Sequence, residues 1–494
     1  MLWTRLTKPF LGVTAALHIS WLLTAAAIGI TIGGALAPVA GPYVEAHWSW
    51  LVFFALGLGV AIIYRHVITL LVMFVSGALL GGWVGLTYWD DFSGYQIYFE
   101  ETVAVSGTVS NDVVIDESGR QQIRIESVEI DNQELPGEIW TSTQSDVAVK
   151  RGDEITMHGR LEDGFGVFAG AMYRGQITAL QRPQPGDVGR VARDYFSERV
   201  SNSIPEPEAG LGISFLTGQR HELADDVSER LRILGLTHIV VASGFHLTIV
   251  VRFARRLFIS VSKYLATITS LSMIVAFLLI TGFSTSMTRA ALVASLSLLA
   301  WYYGRNIHPV TLLSIVAAIT VLINPAFAWG DMGWLLSFAA FGGVIILAPL
   351  LGNFFFGDTP DEQGTVRHLL LATTAAQITT FPIVVVAFGQ YSPLALLANL
   401  AILPFVPLAM LLTFLSGIGA WVLAPIGDVL GFGAYMVLTY INTVTTQLAQ
   451  HQWAYTEIEF GAATVVISYL LIAALIVILR IVTGYRLKQA NPIR

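Results

Sequence analysis

The chain has no cysteine among its 494 residues. That excludes disulfides, thiolate zinc sites and cysteine-ligated iron–sulfur clusters. Charge is scarce too: Asp, Glu, Lys and Arg make up 12% of the chain, against about 25% in an average soluble domain. There is no G-x-x-x-x-G-K-[ST] run, so no ATP site is expected, and no H-E-x-x-H or related zinc signature. Neither a cofactor nor a metal is expected, and no enzymatic activity. Arg5 and Lys8 precede an apolar stretch too long for a signal peptide, with no small-residue cleavage site before His47, so no cleavable leader is expected.

What is present is hydrophobic: 54% of the residues, gathered in long runs. This composition indicates a polytopic α-helical membrane protein of about twelve spans. Three spans come first, at 11–37, 51–64 and 67–89, the second of them short. Nine follow, near 236–254, 264–282, 288–304, 309–324, 333–350, 368–388, 394–422, 429–450 and 460–480. Pro404 and Pro407 make the 394–422 run one broken helix or two half-spans. Arg5, Lys8, Arg65, Arg252, Arg255, Arg256, Lys263, Arg305, Arg480, Arg486, Lys488 and Arg494 fall on one side if both termini are cytoplasmic. Arg289 is the exception, at the outer end of a span. The expected location is the cell (cytoplasmic) membrane.

Between residues 90 and 182 the composition turns polar. Five short alternating runs lie at 102–110, 121–132, 137–143, 154–162 and 175–180, divided by turn residues. They suit an inserted small all-β OB-like barrel, with an SH3-like barrel as the alternative. On the span count the barrel is extracytoplasmic. It carries 17 acidic side chains against 7 basic ones, so any nucleic-acid contact must be a local patch. Arg120, Arg124, Lys150, Arg151 and Arg160 are the candidate cations, and Trp140, Phe165, Phe168 and Tyr173 the candidate stacking rings. Residues 183–207 contain an amphipathic stretch. Val188, Val191, Ala192, Tyr195, Phe196 and Val200 share one helical face, with Arg190, Arg193 and Arg199 off it. It reads as a membrane-surface helix or as a helix packed on the barrel. The expected organisation is therefore N-terminal spans at 1–89, the barrel at 90–182, the surface helix at 183–207 and a channel domain at 208–494.

The densest chemistry is GLTHIVVASGFHLTIV, residues 235–250. His238, Ser243, Gly244 and His246 sit in a run that otherwise reads as one membrane helix. An imidazole at membrane depth needs a partner or a wet cavity. His246 therefore either bonds a neighbouring helix or lines a polar path. Ser243 and His246, three residues apart, also raise a membrane-embedded hydrolase, although no oxyanion hole is evident. Asp331, between Trp329 and Trp334, is either an outer-loop carboxylate or part of the path. Gly218-Gln219-Arg220 is either a helix C-cap or a loop at a pore mouth.

The segment 210–250 resembles the ComEC-type competence domain, in which a G-[DQ]-R loop precedes GLxHxxxxSGxH. Those positions are Gly218, Gln219, Arg220, Gly235, Leu236, His238, Ser243, Gly244 and His246. Three further blocks match in order. One is Arg289-Ala290 with Gly304-Arg305. The next is Asn324-Pro325 with Gly333 and Leu336-Ser337-Phe338. The last is Ser392, Asn399 and Pro404. The resemblance implies a channel that imports single-stranded transforming DNA. It also implies an external DNA-receptor protein, a cytoplasmic helicase-like motor and the lipid bilayer as partners. Many family members carry a metallo-β-lactamase-like nuclease domain after the last span, and this chain stops at Arg494, so a separate nuclease is expected. On this reading His238, Ser243, Gly244, His246, Arg289, Arg305, Asp331, Asn399 and Pro404 line the path. Arg190 and Arg193 join the barrel cations as strand contacts. A small-solute transporter or ion channel is the rival, since intramembrane His, Pro and Gly are common there as well.

Overall fold

The computed structural model describes residues 18–485, except 42, 65, 66, 117, 146, 185, 220, 221, 242, 306, 358–364, 459 and 460. Arg5, Lys8, Arg65, Arg220, Arg486, Lys488 and Arg494 thus lie outside the described residues. The chain opens with three apolar helices, α1 (Ile19–Ala40), α2 (Ser49–Ile63) and α3 (Val67–Asp91). α1 and α3 meet backbone to backbone. A methyl group at Gly29 would overlap the Phe74 carbonyl oxygen, one at Gly77 the Ala26 oxygen, and one at Gly81 the Ile30 oxygen. Within a membrane there is no hydrophobic drive between helices, and small residues supply the contact instead.

A one-turn 3-10 helix, Phe92–Tyr95, leads into the sheet domain. Its strands are β1 (Thr102–Val109), β2 (Val114–Ile115), β3 (Gln121–Ile130), β4 (Gln133–Leu135), β5 (Ile139–Thr143), β6 (Glu154–Arg160), β7 (Glu162–Asp163), β8 (Gly170–Met172) and β9 (Gln176–Gln181). β1 pairs antiparallel with both β3 and β6, β3 with β5, and β6 with β9. β8 pairs parallel with β5. β8 and β9 are two halves of one course interrupted at Tyr173–Gly175, so this course joins the free side of β5 to the free side of β6. The order first–second–third–fifth–fourth–first closes the barrel and is that of an OB-like fold, not an SH3-like one. Val105, Ile123, Ile125, Val128, Ile130, Ile139, Met157 and Leu161 fill it. The alternation along β3 slips by one at Ser127, where φ is +52° and the register with β1 shifts.

α4 (Val188–Ser203) follows, capped by Asp187, which accepts from the Arg190 N–H. The expected apolar face divides. Phe196 and Val200 pack inward, while Val188, Val191 and Tyr195 are exposed. Arg190 and Arg193, expected off that face, are buried, not free, while Arg199 is half-buried. Arg193 makes a bidentate pair with Asp112 of the barrel (2.5 and 3.0 Å) and also reaches Asp194. Arg190 is 6% exposed. Arg151 of the barrel donates to Asp187 (2.5 Å) and to the Leu279 carbonyl (3.0 Å). Arg151, Arg190 and Arg193 were candidates for strand contacts. Their placement gives them to the joint between barrel and helices, because a buried guanidinium must be paired or hydrogen-bonded.

The remaining helices are α5 (Glu208–Thr217), α6 (Asp225–Ile233), α7 (Thr237–Val240), α8 (Gly244–Phe258), α9 (Lys263–Thr281), α10 (Thr285–Tyr302), α11 (Pro309–Ile323), α12 (Ala326–Gly330), α13 (Met332–Gly342), α14 (Ala348–Phe356), α15 (Thr365–Phe388), α16 (Ala395–Ile402), α17 (Val406–Val422), α18 (Ala424–Ala449) and α19 (Ala462–Thr483). A π-helical turn, Gly343–Leu347, joins α13 to α14. A two-stranded pairing of β10 (Gln390–Tyr391) with β11 (Thr456–Glu457) ties the loop before α16 to the loop before α19. Among the described residues, eight helical runs are long and apolar enough to cross a membrane, counting α7 with α8 and α13 with α14, and the pair α16–α17, bent by 48°, makes a ninth. α2 and α11 are shorter apolar helices, and α10 carries Arg289. The protein is a polytopic membrane protein with an inserted sheet domain.

Two outcomes follow from this packing. Gly81→Val forces α1 and α3 apart, and overpacking of this kind costs about 1–3 kcal/mol. Thermal unfolding of the detergent-solubilised protein should shift several degrees lower. The barrel joint should also be acid-labile. Burial pushes the Asp187 carboxyl up, but the Arg151 guanidinium and the Arg190 N–H outweigh it, leaving the carboxyl below its ordinary value. A carboxyl depressed in the folded state contributes stability above the ordinary range near ~4 and loses it as pH falls through the depressed value. Melting should be flat from pH 7 to 5 and fall below that, and Asp187→Asn should reduce the fall.

Candidate functional site

The run that reads as one helix from Gly235 to Val250 is broken. α7 stops at Val240, and α8 starts at Gly244 with Ser243 as N-cap in an extended conformation (φ −135°, ψ 170°). The cause is local. A serine N-cap followed by glycine competes well with helix continuation. Here the N3 position belongs to His246, which closes a capping box. Its Nδ1 accepts from the Ser243 N–H at 3.2 Å and lies 3.0 Å from Ser243 Oγ. A backbone N–H can only donate, so Nδ1 is an acceptor and the proton of the neutral ring sits on Nε2. His246 is fully buried, and Nε2 faces the Ile239 carbonyl without a full hydrogen bond. The proximity of Ser243 and His246 is thus accounted for by helix capping.

His238 differs. Its neighbours Leu236, Ile239 and Val240 are buried, while its own side chain is exposed and Nδ1 lies 3.0 Å from the Gly235 carbonyl. It lies against Asn399 of α16. Asn399 is 3% exposed; Nδ2 donates to the Ala395 carbonyl at 2.8 Å, and Oδ1 has no partner among the described residues. Gly235, with φ +67°, comes close to both Ser392 and Ala395. Ser392 Oγ donates to the Ala454 carbonyl at 2.6 Å. Pro404 lies in the break between α16 and α17, where its missing N–H and fixed φ end the helix.

α10 brings the third block. An added Cβ at Gly244 would lie 3.3 Å from the Ala290 Cβ, so α8 and α10 touch there. The preceding residue, Arg289, turns toward α13. It is 3% exposed, donates from Nη2 to the Gly333 carbonyl at 2.7 Å, and lies 5.9 Å from the Phe338 ring centroid. Its Nε and Nη1 have no hydrogen-bond partner among the described residues. Asp331 is near enough to attract it electrostatically, but its Oδ1 caps α13 by accepting from the Trp334 N–H at 2.6 Å.

Contacts therefore link the sequence blocks pairwise: Gly235 and His238 to Ser392, Ala395 and Asn399, Gly244 to Ala290, and Arg289 to Gly333 and Asp331. Arg305 does not join them. It is exposed beyond the other end of α10, sixteen residues and about 24 Å from Arg289 at 1.5 Å per residue. Arg255 and Lys263 are at that end too, 5.2 and 5.0 Å from the Trp301 ring centroid. Gly218 is a left-handed C-cap of α5 (φ +75°). Gln219 is buried; its Oε1 accepts from Ser197 of α4 and from Thr217. Of the barrel candidates, Arg124, Lys150 and Arg160 are exposed, Arg120 and Trp140 half-buried, and Arg160 pairs with Glu100. Sequence reasoning missed the Gly333 carbonyl as the Arg289 acceptor, since main chain leaves no residue-type signal. It also missed Phe338 against the guanidinium.

The fold and this constellation define a multi-spanning membrane protein with polar groups gathered inside. The competence protein family model matches residues 215–482. The chain belongs to that family. It is 22% identical over 260 residues to ComE operon protein 3 of Bacillus subtilis (strain 168). The alignment covers 52% of this chain and 32% of that relative, so the chain matches about a third of the relative's length. No solved structure matches.

Replacing a buried, incompletely paired cation by an apolar residue of similar volume is often neutral or stabilising. Arg289→Met should leave the melting temperature unchanged or raise it. A melting temperature lowered as much as by a core truncation would show that Arg289 holds the fold.

Proposed function

We infer that the chain is a channel carrying one strand of transforming DNA across the cytoplasmic membrane during natural transformation. The observation that supports this reading best is the polar constellation. Arg289, His246 and Asn399 are buried, and each presents polar atoms that no described residue satisfies. Buried polar groups are almost always paired with protein, water or ligand. Such atoms along the contacts between the family blocks suit a hydrated path, and a buried guanidinium suits a phosphodiester.

The placement of charge gives an orientation. α9 meets the barrel at its Leu279 end, where Arg151 binds, and carries Lys263 at the other. Arg252, Arg255, Arg256 and Arg305 gather near that second end, and none has an ion pair with a described residue. By the positive-inside rule this is the cytoplasmic end, with the barrel outside and both termini inside. A strand would meet Arg289 near the barrel and leave past the basic cluster. Energy then comes from a cytoplasmic helicase-like motor. An external receptor delivers the DNA, and a separate nuclease removes the other strand. On this reading the described segments serve as a conduit.

The test is entry of labelled DNA into the cytosol of a deletion strain complemented with wild type, Arg289→Met, His246→Ala or Ser243→Ala. Deletion should leave DNA bound outside with none inside, and wild type should restore entry. Arg289→Met and His246→Ala should lower entry at least about tenfold, the scale of losing a charge-assisted hydrogen bond. Ser243→Ala should keep most of it, as expected of a cap and not of a nucleophile. Undiminished entry in the deletion strain would overturn the reading.

A further inference from the structure

The barrel is acidic overall, but one face of it is built differently. Arg124 on β3 and Trp140 on β5 are direct register partners. Both point away from the barrel core, because Ile123, Ile125, Ile139 and Thr141 on either side of them are buried. The segment from β7 to β9 lays three more rings beside them. Trp140 lies 5.6 Å from Phe165 and 5.2 Å from Tyr173 between ring centroids, and Phe165 lies 5.2 Å from Phe168. The Arg124 guanidinium lies 5.1 Å from the centre of the Phe168 ring. Phe165 and Tyr173 remain 45% and 48% exposed. In an OB-like barrel this is the face of the second and third strands together with the loop between the fourth and fifth. Nearby, burial pushes the Glu138 carboxyl up, and the Arg124 guanidinium partly offsets this.

The loop that carries these rings also touches the membrane helices. Gly166, between Phe165 and Phe168, has φ +62°. Its main chain packs directly on Gly330, where an added Cβ would overlap the Gly166 backbone. Gly330 ends α12, Asp331 caps α13, and the Gly333 carbonyl holds Arg289. One glycine contact and three residues of main chain therefore separate the ring cluster from the buried guanidinium.

We propose that Trp140, Phe165, Phe168 and Tyr173 form a stacking platform for the unpaired bases of a nucleic-acid strand, held by the Gly166–Gly330 contact beside Arg289. The proposal rests on the conduit reading and gives the conduit its entrance. Bases in a duplex are already stacked on each other and cannot lie on the rings, so the platform selects single strands. The acidic surface around it repels phosphate, so stacking and not counterion release supplies the affinity.

The experiment uses the full chain in nanodiscs of zwitterionic lipid. Fluorescence anisotropy would compare a labelled oligothymidine, an abasic strand of equal length and a blunt duplex, each across a salt series. The oligothymidine should bind about tenfold or more tighter than the abasic strand, with a shallow salt slope, and the duplex should bind weakly. Phe165→Ala and Tyr173→Ala should each weaken oligothymidine binding about fivefold or more, within the range for removing a stacking ring. Both side chains are substantially exposed, so melting should not move. The abasic comparison on the wild-type protein depends on no variant. Equal affinity for the base-bearing and abasic strands would overturn the platform. So would undiminished binding by the two variants. If the double variant imports DNA normally while the deletion strain imports none, the platform falls and the conduit stands. If the deletion strain imports DNA, the conduit falls and the abasic comparison still decides the platform.

Discussion

A polar group inside a membrane protein cannot borrow a hydrogen bond from lipid, and this constraint organises the whole chain. Many serines and threonines in the helices return the hydroxyl to a carbonyl three or four residues back, as Thr267, Ser270 and Thr281 do within α9. Others bridge helices, as Thr24 of α1 does to Thr311 of α11 at 2.8 Å. Arg289, His246 and Asn399 instead keep buried polar atoms without a partner among the described residues. Leaving a buried donor or acceptor unpaired costs about 1–3 kcal/mol, more for a charged group.

The same constraint explains the two styles of packing. Within the membrane segment, α1 and α3 approach through glycines, since removing apolar surface from lipid gains little. Outside it, the barrel is filled in the ordinary way by Ile, Val and Met, where burial from water drives the packing. The joint between the two adds ion pairs. It is made by Arg151 with Asp187 and Arg193 with Asp112, and by one glycine-to-glycine approach at Gly166 and Gly330. Ionic and main-chain contacts fix direction more sharply than apolar ones, so the barrel is oriented on the helices as well as attached to them.

How far the sequence carried the reading depended on the kind of signal. The five strand runs were legible because a barrel with one buried face imposes alternation, whereas the short strands β2, β4, β7 and β8 and the break at Tyr173–Gly175 were hidden. The apolar helices were legible from composition. The break between α7 and α8 was not. Hydropathy sums over a capping box, and Ser243 and Gly244 are ordinary in a membrane helix. The roles of Arg190 and Arg193 were misread for a related reason: a helical wheel shows which residues share a face, not which face meets a partner. At the site, side-chain members such as His246 and Asn399 were within reach of sequence reasoning, whereas the Gly333 carbonyl was not.

The break before α8 has an electrical consequence. A helix that starts in the interior points the positive end of its backbone dipole there, equivalent to roughly half an elementary charge. In α8 that end is at Gly244, beside the Ser243 cap, two residues before His246 and in contact with the helix of Arg289. Unlike an imidazole, it carries no proton that acid or base can add or remove. The interior therefore keeps a fixed electropositive bias at every pH at which the fold survives.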